Sequence, residues 1–544
     1  MALLGKEEHS EKYLKQSIEV SELTTQIQYD FLSELNGFEA ARMTYSEDIH
    51  QVLQYQAVAS QALYELTGQE KYLYRYFEVT ERRKGMTLLQ ILTPSPLPEA
   101  VAAKEEKLLY NFRMLQQKTE TAGADSLAFF QDKLFDATRE YEAFVTQLRQ
   151  GFPKRANAFY NVEYATISDV QDLLEEDECY IDYSYNESNL YILSISKESV
   201  ELVEVGAGGQ FEEALTRMQA LLKDPLLMQS VKKTAFIETS RQLYEYLISP
   251  VAHRIKSKSK IIIAPEKKLF YLPFEVLLQT DEIKRFENLD YLVKKYAINY
   301  EYSATTFRQL QQRTVIKDNS FLAFAPVFEN EAGGALAARN RETLPDSLYR
   351  SVEGDHFRPL PNSRKEVSSI AKMIPPDGQT NILMDEGALK KDLRGALTSR
   401  PWQFVHIATH GIVNFNNPTL SALACYEKEP SDEQLLYANE IQLLDLQADL
   451  VVLSSCESGI GRLVKGEGLL ALSRSFLYAG AKNVLFSLWK VNDRHTSTLM
   501  INFYKFYAEG SSYPEALRKT KLEMLKNPIT ANPRFWGAFV LIGK

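Results

Sequence analysis

The stretch Ala448–Gly468, ADLVVLSSCESGIGRLVKGEG, runs from consecutive aliphatic residues into a cysteine flanked by serines, a glutamate and glycines. Leu450 to Leu453 is a short all-apolar run, the mark of a strand buried on both faces, and such strands belong to parallel sheets covered by helices. Cys456 then falls just past the strand's carboxyl end. Sheets of this class place ligands and reactive groups in the crevice beyond those ends.

A second junction of the same kind lies upstream. In WQFVHIATHG, residues 402–411, Phe404 to Thr409 is expected as a buried strand with His410 and Gly411 just beyond it. Both junctions then meet one rim. A thiol needs a base, or a cation that lowers its pKa, before it becomes a strong nucleophile, and imidazole suits that role near neutral pH. An attacked carbonyl becomes an oxyanion, and backbone N–H groups at glycine turns are suited donors. Gly411 and Gly459 meet that requirement. Taken alone, Cys456 is equally an ordinary buried thiol, since free cysteine is among the most buried residue types.

Working outward, an α/β organisation extends upstream. ECYIDYSYN and NLYILSISK alternate around a turn as a hairpin would. Helical stretches follow around Phe211 to Leu222 and Ala235 to Ile248, and Ile261 to Ala264 is another buried strand. A second α/β unit opens at SFLAFAPVF, and Gly468 to Tyr478 is a helix that leads into a further core strand. Between the units, Glu329 to Pro359 lacks periodicity and is expected as a long mobile surface loop. Its Arg339, Arg341, Arg350 and Arg358 are either an autoprocessing or regulatory segment or the solvated side chains of a surface loop.

Residues 1–155 differ in character, with apolar residues at helical spacing and no strand-like alternation. Phe130, Leu134, Ala137, Tyr141, Val145 and Leu148 form one stripe, with Asp125 as the expected N-cap and Leu108, Phe112 and Leu115 on an antiparallel partner. SQALYELTGQEKYLYRYFEVTERRKG, residues 60–85, is expected as two helices joined at Gly68 in the left-handed C′ position. It resembles a tetratricopeptide helix-turn-helix, although no clean second copy recurs at that period. An irregular helical bundle is the alternative.

Composition sets outer limits. The chain has 544 residues, 45% apolar and 25% charged, as in ordinary globular proteins. Its start lacks a secretory apolar region, and no stretch reaches the roughly 20 apolar residues of a membrane span, so a cytoplasmic location without membrane partners is expected. Three cysteines, Cys179, Cys425 and Cys456, are too scattered for a disulfide framework or a structural zinc site, and no metal or cofactor is expected. A formal charge of −10 argues against direct nucleic-acid binding. GIGRLV lacks the third glycine and the acidic residue of a dinucleotide site. His406 is expected as a core residue, Cys179 and Cys425 as packing, and Glu457 as either an orienting group or a loop carboxylate.

His410 precedes Cys456 by about 46 positions, the order and approximate spacing of caspase-like cysteine proteases. More specifically, HIATHG, LLYANEIQLLDLQADLVVLSSCESGIG, GEGLLALSRSFLYAGAKNVLFSLWKVND and NPRFWGAFVLIG resemble the CHAT domain, the caspase-like domain associated with tetratricopeptide repeats in bacteria. IIIAPEKKLFYLPFEVL, YLVKKYAINYEYS and LPNSRKEVSSI are similar to the rest of its pattern, and the resemblance spans about residues 160–544. The Gln-Ala-Cys-x-Gly signature of caspases proper is missing.

The resemblance implies a caspase-like, mostly parallel sheet flanked by helices, with a pseudo-protease half at 160–315 and an active half at 316–544. It implies Cys456 as nucleophile, His410 as base and acid, and the N–H groups of Gly411 and Cys456 as the oxyanion hole. By similarity to separases, Asp493 in LWKVND would sit in the S1 pocket and select Arg or Lys, while Lys490 departs from that pattern. The activity implied is that of an endopeptidase acting on a specific partner protein, gated by a regulatory protein or ligand at the helical region and serving bacterial defence. The alternative is a caspase-like scaffold that binds a peptide without cutting it.

Overall fold

The computed structural model describes residues 10–34, 39–92, 124–151, 163–328, 356–414, 421–428, 434–454 and 468–544, with residues 352–353 and scattered positions between 6 and 119. The chain forms two compact units, residues 1–174 with 302–309, and residues 175–301 with 310–544.

The first unit is helical. Helices α1 (Glu11–Glu34), α2 (Glu39–Thr67) and α3 (Glu70–Leu92) pack in succession, followed by α4 (Ala124–Gly151) and the short α5 (Ile167–Leu173). Leu14 of α1 packs with Ala59, Ala62 and Leu63 of α2 and with Tyr72 of α3. Small residues here let the helices approach closely, and each buried aliphatic side chain contributes roughly 1.5–3 kcal/mol. Gly68 between α2 and α3 has φ +64 and donates to the Tyr64 carbonyl, the left-handed cap expected from the sequence. Phe112 stacks on Tyr141 of α4 at 6.1 Å, and Leu108 is buried with Phe144, so the expected partner does pack on α4. Asp125 lies inside α4 rather than ahead of it. Glu81 of α3 accepts from the backbone N–H groups of Ala304 and Thr305 and from the Thr305 hydroxyl, capping the helix Ala304–Gln311.

The second unit is built on one sheet. Its first stretch holds β1 (Glu178–Tyr185), β2 (Asn189–Ser196), β3 (Ser199–Gly206), α6 (Gly208–Lys223), α7 (Ser230–Leu247), β4 (Lys260–Ala264) and β5 (Ala297–Tyr300). Its second holds β6 (Phe321–Ala325), α8 (Pro361–Ala371), β7 (Thr380–Met384), α9 (Lys390–Thr398), β8 (Trp402–Ile407), β9 (Gly411–Ile412), β10 (Ala422–Ala424), β11 (Leu435–Tyr437), β12 (Ala448–Leu453), α10 (Gly468–Ala479), β13 (Ala481–Ser487), α11 (Asp493–Ala508), α12 (Tyr513–Leu525) and β14 (Phe539–Ile542). Eleven strands follow the order β3-β2-β1-β4-β5-β14-β13-β12-β8-β6-β7, so strands of both stretches share one sheet. Within this sheet, among the described residues, antiparallel pairing is confined to β1–β2, β2–β3 and β13–β14. Strands β9, β10 and β11 form a separate small sheet.

The aliphatic runs behave as their composition requires, with every residue of β8 and β12 buried. Strand β8 lies between β12 and β6, with Ile407 paired to Leu453 on one side and Phe324 on the other. Helices α8, α11 and α12 pack against the second half, where Phe404 meets Tyr504, Tyr507 and Tyr513 edge-on. Cys179 and Cys425 are both buried, and burial pushes the Cys179 thiol up to about 11.

Candidate active site

The chain leaves β8 under control. The Ala408 N–H donates to the Phe324 carbonyl, the Thr409 hydroxyl donates to the Ala424 carbonyl, and the His410 carbonyl accepts from the Ala424 N–H. Three residues past the strand, His410 is therefore held between β6 and the small sheet. Gly411 opens β9 opposite Leu423 of β10.

The His410 ring is enclosed and its tautomer is set. Nε2 lies 2.7 Å from the Arg358 carbonyl oxygen. A carbonyl only accepts, so Nε2 carries the proton and Nδ1 carries the lone pair. Nδ1 is buried and has no hydrogen-bond partner among the described residues. Phe357 stacks on the imidazole at 5.6 Å and 19°, and Phe328 leans on it at 5.5 Å and 31°. His410 is left 2% exposed. Burial pushes its pKa down to about 4; the nearby positive charges of Lys490 and Arg358 act the same way, while the bond to the Arg358 carbonyl opposes them.

The cover over His410 carries backbone strain. Val327 and Phe328 have φ +57 and +60, in the left-handed region that side chains, above all β-branched ones, avoid. The Val327 carbonyl accepts from the Leu360 N–H at 2.7 Å, and Phe328, Phe357, Leu360, Ile412 and Ala424 form one buried cluster that supports the turn. The expected open loop over 329–359 is corrected at its end. Val352–Glu353 pairs with His356–Phe357 as a two-stranded ribbon, Phe357 is buried, and Arg358 contributes its carbonyl to the site. Residues 329–351, including Arg339, Arg341 and Arg350, lie outside the described residues.

Strand β12 brings the other junction to the same rim. Beyond the pairing of Ile407 with Leu453, the Ser454 N–H donates to the Ile407 carbonyl at 2.9 Å. The Ser454 hydroxyl is buried without a partner among the described residues. Cys456 follows two positions later in the sequence and, with Glu457 and Gly459, lies outside the described residues.

Asp493 lies in the first turn of α11, after the N-cap Asn492. Its Oδ2 accepts from the backbone N–H of Asn362 at 2.9 Å and from the Asn362 side-chain amide at 2.7 Å. Asn362 is in the first turn of α8, so one carboxylate oxygen joins two helix starts.

His406 is a core residue, as its place inside a strand implies. It is fully buried, with Nε2 2.7 Å from Glu366 Oε1 on α8 and Nδ1 3.2 Å from the Tyr504 hydroxyl on α11. Sequence reasoning missed Phe357, Phe328, Glu366 and the part played by the Arg358 backbone carbonyl. A backbone carbonyl has no sequence signature, and the pattern of LPNSRKEVSSI says nothing of where Glu366 points. Among the described residues no group of His, Cys, Asp and Glu has the spacing of a metal site, and no helix is long and apolar enough to cross a membrane.

Residues 238–544, more than half of the chain, match the CHAT domain. The chain is 24% identical over 342 residues to tetratricopeptide repeat protein 28 of Homo sapiens and of Mus musculus, a match that takes in 56% of this chain and 13% of the length of each relative. Among solved structures it is similar to the Saccharomyces cerevisiae separase–securin complex, with TM-score 0.41, 10% identity, and coverage of 98% of this chain and 48% of that one. It is also similar to the Arg-specific cysteine proteinase gingipain R, RgpB of Porphyromonas gingivalis, with TM-score 0.34, 9% identity, and coverage of 62% and 75%. With its mostly parallel sheet, its histidine at the strand rim and this match over residues 238–544, the chain belongs to the CHAT domain family.

Proposed function

We propose that the protein is a cysteine endopeptidase in which Cys456 is the nucleophile and His410 the base and acid. The observation that carries this reading is the tautomer of His410, protonated on Nε2 by its bond to Arg358 and bearing a lone pair on a buried, unpartnered Nδ1. Support also comes from β12, whose ladder with β8 continues to Ser454. Cys456 follows Ser454 by two positions in the sequence.

The chemistry follows from these groups. The Cys456 thiol gives its proton to Nδ1 of His410, and the thiolate attacks the scissile carbonyl carbon. The N–H groups of Gly411 and Cys456 receive the oxyanion. His410 returns the proton to the departing amine, and water then hydrolyses the thioester. A histidine with a pKa near 4 is neutral at pH 7 and so able to accept a proton, but it is a weak base while its ring stays covered. We therefore propose a gated enzyme, in which a regulatory protein or ligand at the helical region uncovers His410. The substrate would be a specific protein in the cytoplasm, in a bacterial defence setting, and Oδ1 of Asp493 is the oxygen left to face a basic P1 side chain.

The 2% exposure of His410 favours a second reading, a scaffold that binds peptide without cutting it. Acyloxymethyl ketone probes bearing P1 Arg, Lys, Leu, Met or Asp separate the two. Labelling of Cys456 that is lost in Cys456→Ala and His410→Ala supports the peptidase. No labelling by any probe, even with candidate activators added, supports the scaffold.

A further inference from the structure

We infer that Asp493 is a positioning residue for His410, clamping Asn362 so that the chain entering α8 presents the Arg358 carbonyl to Nε2. The inference rests on His410 being the base of the proposed site.

The connecting segment is short and stiff. It reads Arg358-Pro359-Leu360-Pro361-Asn362, with proline at alternate positions. Each proline fixes its own φ, and Pro361 and Asn362 are already the first two residues of α8 with Leu360 as its N-cap, so the approach to the helix behaves as a strut rather than a free loop. The strut is held at its middle by the Leu360 N–H on the Val327 carbonyl, and at its end by Asp493 on Asn362. Its start is the carbonyl that sets the His410 tautomer. The Arg358 side chain is exposed, so the backbone oxygen is what the strut delivers.

The clamp also has a fixed reference. Helix α11, which carries Asp493, is tied to β8 through Tyr504 and His406, and helix α8, which carries Asn362, is tied to the same histidine through Glu366. His406 stands four residues before His410. Both ends of the Asp493–Asn362 contact are thereby referenced to the strand that delivers the base, and a shift of either helix start moves the Arg358 carbonyl relative to Nε2.

A role in positioning and a role in charge recognition respond differently to one conservative change. An asparagine at 493 keeps an oxygen able to accept both hydrogen bonds from Asn362 but has no charge. The test uses the full chain with nitrogen-15-labelled histidine in a Cys456→Ala background, with His410→Gln to assign the signal among the seven histidines. In the parent, His410 should show the single Nε2–H tautomer at pH 8. In Asp493→Ala the two tautomers should mix and the titration midpoint should rise by at least one pH unit, while Asp493→Asn should keep the parent signature. A parent-like signal in Asp493→Ala, or equal damage in Asp493→Asn and Asp493→Ala, overturns the proposal. Should Asp493→Ala not fold, Asn362→Ala removes the amide bond and keeps the backbone one; a smaller change of the same kind supports the clamp, and none overturns it. The readout is a nitrogen signal rather than cleavage, so unlabelled Cys456 together with an Asp493-dependent His410 signal would remove the peptidase and leave the clamp.

Discussion

His406 and Glu366 meet at 2.7 Å with both side chains closed to solvent, 0% and 1% exposed. Removing one partner of such a pair leaves the other buried and unsatisfied, at a cost of about 1–3 kcal/mol. Glu366→Ala is therefore expected to lower unfolding free energy by that amount in chemical denaturation. Glu366→Gln retains an acceptor for the imidazole N–H and should cost clearly less. A loss under about 1 kcal/mol in the alanine variant would show that the pair does not brace α8 on the sheet.

Glu81 offers a second test, in the helical unit. It is fully buried and accepts from Ala304 N–H, Thr305 N–H and the Thr305 hydroxyl. Glu81→Ala strips the start of the helix Ala304–Gln311 of these acceptors, and at least about 3 kcal/mol should be lost, since three buried donors are orphaned at about 1–3 kcal/mol each. Hydrogen exchange at residues 304–307 should accelerate more than exchange in β8. Equal protection in variant and parent would mean that another acceptor serves these donors.

These two contacts also mark the limit of what the sequence displays. Local pattern revealed β4, β8 and β12, because an all-apolar run has one physical solution in a covered parallel sheet. It revealed Gly68, because a positive φ at a helix end favours glycine, and it set His410 just past a strand at the rim. The Glu81 cap joins residues 223 positions apart, and His406 meets Glu366 across 40. No periodicity encodes such pairings. The ribbon ending at Phe357 was equally hidden, because its ring is buried by Phe328 and His410 rather than by neighbours in sequence.

Lys521 and Glu275 form an ion pair in the interior, each 1% exposed, and the Tyr300 hydroxyl donates to the same carboxylate. Burial lowers the Lys521 pKa while Glu275 opposes that shift. Lys521→Met should cost about 3–5 kcal/mol because it strands the carboxylate, whereas Lys521→Met combined with Glu275→Leu should recover much of the loss, since apolar pairs often replace buried ion pairs at no cost. A double-mutant cycle by urea unfolding measures both. Additive losses would mean that the two groups are not energetically coupled.

The depressed pKa of His410 makes stability depend on pH in one direction. The group titrates at about 4 in the fold and near 6.5 in the open chain. Between these values the unfolded state binds more protons, so stability is present in full above 6.5 and falls as pH drops toward 4. The contribution lost is about 2 kcal/mol at pH 5 and about 3 kcal/mol near pH 4. His410→Gln keeps a donor for the Arg358 carbonyl and cannot titrate. The difference in unfolding free energy between parent and variant, followed from pH 8 to pH 5, should therefore shift by about 2 kcal/mol against the parent. Phe357→Ala opens the ring to water and should raise the midpoint toward 6.5, shrinking that shift. A difference that stays flat with pH would mean that His410 titrates normally and that Phe328 and Phe357 do not seal it.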